Sequence, residues 1–121
     1  MSARINIPEN HPRYKAMMIR ENLIRGCEEK IVAPAGLIAQ GRGEAFDYLL
    51  GEQTADFALE AISAAAAAFL LAEHPVISVN GNTAVLVPEE FVRLSRVSGA
   101  QLEINLFYRQ PGREEAILKV L

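Results

Sequence analysis

The chain has 121 residues, 50% of them hydrophobic and 22% charged, a composition that suits one compact domain and excludes a disordered, collagenous or low-complexity chain. A domain of this length buries roughly 65% of the surface its unfolded chain exposes, so it needs no metal or disulfide staple. The single cysteine, Cys27, and the two histidines, His11 and His74, give no disulfide and no cluster at zinc-ligand spacing, and a net charge of −3 without a basic stripe argues against a nucleic-acid partner.

No membrane partner is expected either. The most apolar stretch, "AISAAAAAFLLAEHPVISV", is broken by Glu73, His74 and Pro75 before it could span a bilayer, and the opening "MSARINIPEN" has no apolar leader core. The expectation is a cytoplasmic protein of one domain, residues 1–121.

In chain order, Ile7-Pro8 is extended, because a residue before proline is pushed out of the α region. A helix follows, capped by Asn10 or His11 with Pro12 in its first turn; Tyr14, Met17, Met18, Leu23 and Ile24 trace its apolar face, and Gly26 marks an end or irregularity. After "IVAPAG" comes "GLIAQGRGEAFDYLLGE", in which Gly41-Arg42-Gly43 reads as a loop at the mouth of a short helix, "EAFDYLLG", stopped by Gly51. Thr54 is the expected cap of the longest helix, "ADFALEAISAAAAAFLLAEH", whose alanines predict close packing against a sheet or another helix. Pro75 ends it.

"VISVN" then reads as a buried parallel strand, since it has too few polar residues for a solvated face. Asn80-Gly81 between apolar runs is also a hairpin signature, but Pro88 and the acidic pair Glu89-Glu90 favour a strand ending at Asn80, a short helical turn and a longer helix stopped by Gly99. "QLEINLFY" gives a second strand, and "GREEAILKVL" starts another helix. This is α/β order, with helices flanking a small, mostly parallel sheet and a right-handed crossover between the strands.

Ligands in open α/β sheets sit outside the carboxyl ends of the strands. Two such ends are predicted, one carrying Asn80 and Asn82, the other Asn105, Tyr108 and Arg109, and parallel neighbours would bring them to one crevice. Their alternative reading is a turn and a solvated strand end. In the glycine box, Gly41 and Gly43 clear space around Arg42, so that helix-entry amides and a guanidinium fork could hold a phosphate, while Glu44 and Asp47 orient Arg42, bind a metal through water or favour the helix N-terminus. It is neither a dinucleotide fingerprint nor a P-loop, because Phe46 stands where the former needs glycine and no Lys-Ser/Thr pair follows. Cys27 lies near two glutamates, surroundings that disfavour a thiolate. Arg20 points either to solvent or back toward Arg42.

Together, "IPENHPRY", "GLIAQGRGEAFDYLLGE", "PVISVNGN" and "LEINLFYR" resemble, in this order, the archaeal phosphopantothenate synthetase family, the 4-phosphopantoate–β-alanine ligases of coenzyme A biosynthesis. The resemblance runs from about Ile7 to the end of the chain. It implies a Rossmann-like α/β fold, a homodimer, and an ATP-dependent condensation of 4-phosphopantoate with β-alanine that releases AMP and diphosphate. It further implies ATP with Mg²⁺ and nucleotide contacts at Arg20 and Arg42; Asn80, Asn82, Asn105, Tyr108 and Arg109 are assigned to a supporting crevice by their position at the strand ends, with Gly41, Gly43 and Glu44 of the glycine box beside them. Two departures stand out: Gln40 replaces the histidine of the family box, and the chain is about half a family member, its N-terminal half. The alternatives are a non-catalytic nucleotide-binding or dimerisation module and an unrelated phosphosugar or nucleotide enzyme sharing the Gly-Arg-Gly device.

Overall fold

Three helices precede the first strand of the computed structural model, which describes residues 7–121; the reading of the first six residues as lacking a leader core lies outside the described residues. In order the elements are α1 (Tyr14–Glu28), α2 (Pro34–Leu50), α3 (Asp56–Leu71), β1 (Val76–Val79), α4 (Gly81–Leu86), α5 (Pro88–Ser98), β2 (Gln101–Ile104) and α6 (Arg113–Leu118). The fold is mixed α/β. No helix among the described residues is long and apolar enough to cross a membrane.

The two strands are parallel neighbours, with Val76 opposite Gln101 and Val79 opposite Ile104, joined by a crossover through α4 and α5. The hairpin alternative at Asn80-Gly81 is therefore excluded. Asn80 instead caps α4: its side chain accepts from the Thr83 amide at 3.1 Å, while the Thr83 hydroxyl accepts from the Asn80 amide at 3.2 Å. This reciprocal pair is a capping box, in which two otherwise orphaned donors are satisfied at once. Pro88 then opens α5, and Gly99, at φ 73°, ends it in the left-handed conformation that glycine adopts at low cost.

Ile77 and Val79 of β1, Ala84 of α4, Ala100, Ile31 and Ile117 form the buried core, with Phe69, Val85, Phe91, Leu102, Ile104 and Leu106 packed around it. Along β1, Ile77 and Val79 face inward while Val76 and Ser78 are exposed. The strand is thus half-buried rather than covered on both faces, because its two outer-face residues, Val76 and Ser78, are not covered by a layer of the described residues. Leu23 of α1 is fully buried, and Gly26 lies inside the same helix rather than ending it. A Cβ there would come 2.6 Å from Cγ2 of Val85, so the glycine marks close packing on α4.

Two helical expectations are corrected. Gly41-Arg42-Gly43 is not a loop at a helix mouth; it lies in the middle of α2, a continuous helix of 17 residues and the longest of those described. Pro34 suits its first turn after extended Ala33, and Leu37, Ala39, Gln40, Glu44 and Ala45 supply enough propensity to carry the two glycines, each about 1 kcal/mol worse than alanine in a helix. Similarly, α3 begins after Ala55 rather than Thr54, and it is not closely packed. Phe57, Leu59, Ile62, Leu70 and Leu71 are each more than half exposed, leaving Phe69 as the helix's contribution to the core. Alanine content supplied the helix propensity, but propensity does not specify a packing partner.

Candidate functional site

Because the strands run parallel in register, their carboxyl ends finish side by side, and the Asn105 amide donates to the Val79 carbonyl at 2.8 Å. This brings Asn80, Gly81 and Asn82 against Asn105, Leu106, Phe107 and Tyr108. Together with Ala33, Ala35, Gly36 and Ala39 from the start of α2, and with Arg113, they line an open crevice of about 500 Å³. The two predicted strand-end groups therefore do meet, apart from Arg109, which is exposed and does not line the crevice.

Close backbone approach shapes the crevice. Asn82 donates through Nδ2 to the Gly36 carbonyl at 2.8 Å, tying α4 to α2. At Gly81, a Cβ would fall 2.2 Å from the Ile31 carbonyl oxygen. Arg113 fills the space beside it. That side chain is 4% exposed, donating through Nη2 to the Ile31 carbonyl at 2.8 Å and through Nη1 to the Tyr108 carbonyl. It ties the loop after β2 to the turn between α1 and α2. Sequence reasoning passed over Arg113, although one signal was there: a cation in the first turn of a helix opposes the helix dipole, whereas Glu114 and Glu115 beside it comply.

A second, shallower groove of about 430 Å³ runs between α1, α2 and α4, lined by Gln40, Gly43, Glu44, Asp47 and Asn82 among others. Asn82 and Ala39 line both depressions, so the groove and the crevice adjoin. Arg20 sits at the α1–α2 contact, where its Nη1 donates to the Leu37 carbonyl at 2.6 Å and to Oε1 of Gln40 at 2.9 Å. Gln40 in turn donates to Oε2 of Glu44 at 3.4 Å, and Glu44 pairs with Arg13. Arg13 also stacks 4.0 Å from the centroid of Tyr48 and lies 3.8 Å from Glu52. His11 acts just ahead of the helix, its Nδ1 accepting from the Arg13 amide at 3.1 Å.

Glu44 therefore holds Arg13, not Arg42. Arg20 turns to Gln40 rather than to Arg42, which is exposed and lies two residues on, about 200° round the helix. The amides of residues 41–43 lie inside a helix, where backbone donors are used one turn back, so they cannot cradle an anion as helix-entry amides would. What Gly41 and Gly43 do provide is open space, since a Cβ at either would meet nothing within 4 Å. Gly41→Ala and Gly43→Ala are each expected to stabilise the chain by about 0.5–1 kcal/mol, read from denaturant midpoints. Destabilisation would show that contacts within the chain require the glycines.

Among the described residues no group of three or more His, Cys, Asp or Glu side chains could hold a metal ion.

The profile of the phosphopantothenate/pantothenate synthetase family matches residues 57–121, from α3 to the end of the chain. The chain is 57% identical over 117 residues to the 4-phosphopantoate–β-alanine ligase of Thermococcus kodakarensis, covering 97% of this chain and 45% of that protein. The ligase of Methanospirillum hungatei is 54% identical over 115 residues, and that of Methanosarcina mazei 51% over 116, covering 47% and 46% of those proteins. The chain thus spans about half the length of the curated relatives it matches. Arg20, the glycine box and the residues of both depressions fall outside or inside the profile according to their position before or after residue 57, but the relatives match nearly the whole chain. The chain belongs to the phosphopantothenate/pantothenate synthetase family.

Proposed function

We propose that this chain is the N-terminal half of a cytoplasmic, homodimeric ligase that condenses 4-phosphopantoate with β-alanine, using ATP and Mg²⁺ and releasing AMP and diphosphate. The observation that carries the reading is 57% identity, sustained over 97% of the chain, to a protein named for that reaction.

In this reading the Arg20 and Arg42 guanidinium groups contact nucleotide phosphate. Arg20 is held in place through Nη1 by Leu37 and Gln40, and its remaining N–H donors are free to meet phosphate oxygens, among the bonds of the described residues. Such a fixed donor needs little reorganisation as charge develops on a leaving group. Gln40 fills the family's histidine position as a hydrogen-bonding link between Arg20 and Glu44, a role that requires no proton transfer.

The test is a chimera in which this chain replaces the matching 117 residues of the Thermococcus kodakarensis ligase. Formation of 4′-phosphopantothenate and AMP from 4-phosphopantoate, β-alanine and ATP is the expected result. A folded chimera without that activity would overturn the assignment. It would favour a non-catalytic association module, the second reading, which the exposed apolar residues of α3 support.

A further inference from the structure

Arg20 is half-buried at the α1–α2 contact, and both acceptors it meets lie at one of its nitrogens: Nη1 donates to the Leu37 carbonyl at 2.6 Å and to Oε1 of Gln40 at 2.9 Å. A guanidinium donates from every nitrogen, so Nε and Nη2 remain side by side as a fork that matches the oxygens of one anion. Among the described residues the ion pairs belong to Arg13, and no carboxylate meets Arg20. The neighbours of Arg20 therefore fix its direction without neutralising its charge.

Those neighbours are themselves held in sequence. Gln40 and Glu44 stand one turn apart on the same face of α2, and both line the groove between α1, α2 and α4. Oε2 of Glu44 accepts from Nε2 of Gln40 at 3.4 Å, while Oε1 accepts from Arg13, whose guanidinium is stacked 4.0 Å from the Tyr48 centroid. An ionised carboxylate only accepts and a guanidinium only donates, and an amide is a side chain that offers one group to each. Glu44 thus turns the Gln40 amide so that its oxygen, not its NH2, faces Arg20. Without Glu44 the amide can swing over and set donors against donors.

We propose that Glu44, anchored by Arg13, is a positioning residue: it orients the Gln40 amide, and through it the Arg20 guanidinium, so that the Nε and Nη2 fork of Arg20 is presented to phosphate. That the phosphate belongs to ATP rests on the ligase reading. Neither Arg13 nor Glu44 need touch the nucleotide in this arrangement. Their contribution is to hold a long, rotatable side chain in one direction before the anion arrives, which lowers the ordering cost of binding it.

The test compares Glu44→Leu with Glu44→Gln, which remove the same charge but differ in whether an acceptor for Gln40 remains. In the ¹⁵N-labelled 121-residue chain, relaxation at Nε of Arg20 should report a rigid side chain in the parent and in Glu44→Gln, and a mobile one in Glu44→Leu. In the chimeric ligase, Glu44→Leu should lower kcat/KM for ATP about tenfold, as loss of a charge-assisted contact does, and Glu44→Gln should stay within about threefold of the parent. The Glu44→Leu effect should vanish in an Arg20→Ala background, because it passes through Arg20; a merely structural role would give additive losses. Equal kinetic effects of the Leu and Gln variants, additivity with Arg20→Ala, or unchanged Arg20 mobility in Glu44→Leu would overturn the proposal. An inactive parent chimera, beside an Arg20 side chain loosened by Glu44→Leu alone, would overturn the ligase reading and retain the positioning role.

Discussion

Gly81→Ala is expected to destabilise the chain by at least about 3 kcal/mol and to lower its melting temperature on the order of 10 °C. The new methyl would stand 2.2 Å from the Ile31 carbonyl oxygen and 2.9 Å from Nη2 of Arg113. Neither obstacle yields cheaply. Ile31 is backbone in the turn between α1 and α2, and the guanidinium beside it is anchored to that same oxygen at 2.8 Å. Relief therefore requires α4 to move away from the turn, which opens the core around Ile31 and Ala84 and disturbs the loop that Arg113 holds through Tyr108. Positive φ plays no part, since Gly81 is not among the residues with that conformation. The comparison with Gly41→Ala is the control: the same added methyl, in open space, should stabilise. Thermal and denaturant melts of both variants check the pair, and a Gly81→Ala protein within about 1 kcal/mol of the parent would remove the close approach as the reason for this glycine.

These two glycines also show where sequence reading succeeds and where it stops. Asn80-Gly81-Asn82-Thr83 carries both a hairpin signature and a helix cap, and the correct choice came from Pro88 and Glu89-Glu90 further along, which require a helix start that a hairpin strand would oppose. Parallel order followed, and with it the meeting of Asn80, Asn82, Asn105 and Tyr108 at one crevice. Gly41 and Gly43 misled because glycine punctuates on average, while the residues around them and the laying of Arg20 and Arg13 across α2 outweigh about 2 kcal/mol of lost propensity. The exposure of α3 was not legible at all. An alanine-rich helix reads the same whether its partner belongs to the described residues or not. Arg113 was missed for a related reason: burial depends on Gly81 and Ile31 coming together from distant points in the chain, and local pattern does not report such contacts.

In the chimeric ligase, Arg42→Ala should lower the rate of AMP formation on the order of 100-fold, the consequence of deleting a guanidinium that donates to developing charge. The variant is clean because Arg42 is exposed and makes no hydrogen bond or ion pair among those of the described residues, so its melting temperature should not move. Arg20→Ala offers no such separation, since it also breaks the bonds to Leu37 and Gln40 and so costs rate and stability together. Kinetic parameters divide the role of Arg42 further. A fall in kcat with KM for ATP unchanged would place its guanidinium on charge present only in the transition state; a rise in KM with kcat unchanged would make it a ground-state phosphate contact. Unaltered AMP formation would remove Arg42 from the nucleotide site. The two glycines on either side would then be explained by neither packing within the chain nor ligand approach beside Arg42, although Arg113 and the strand-end crevice would stand on their own geometry.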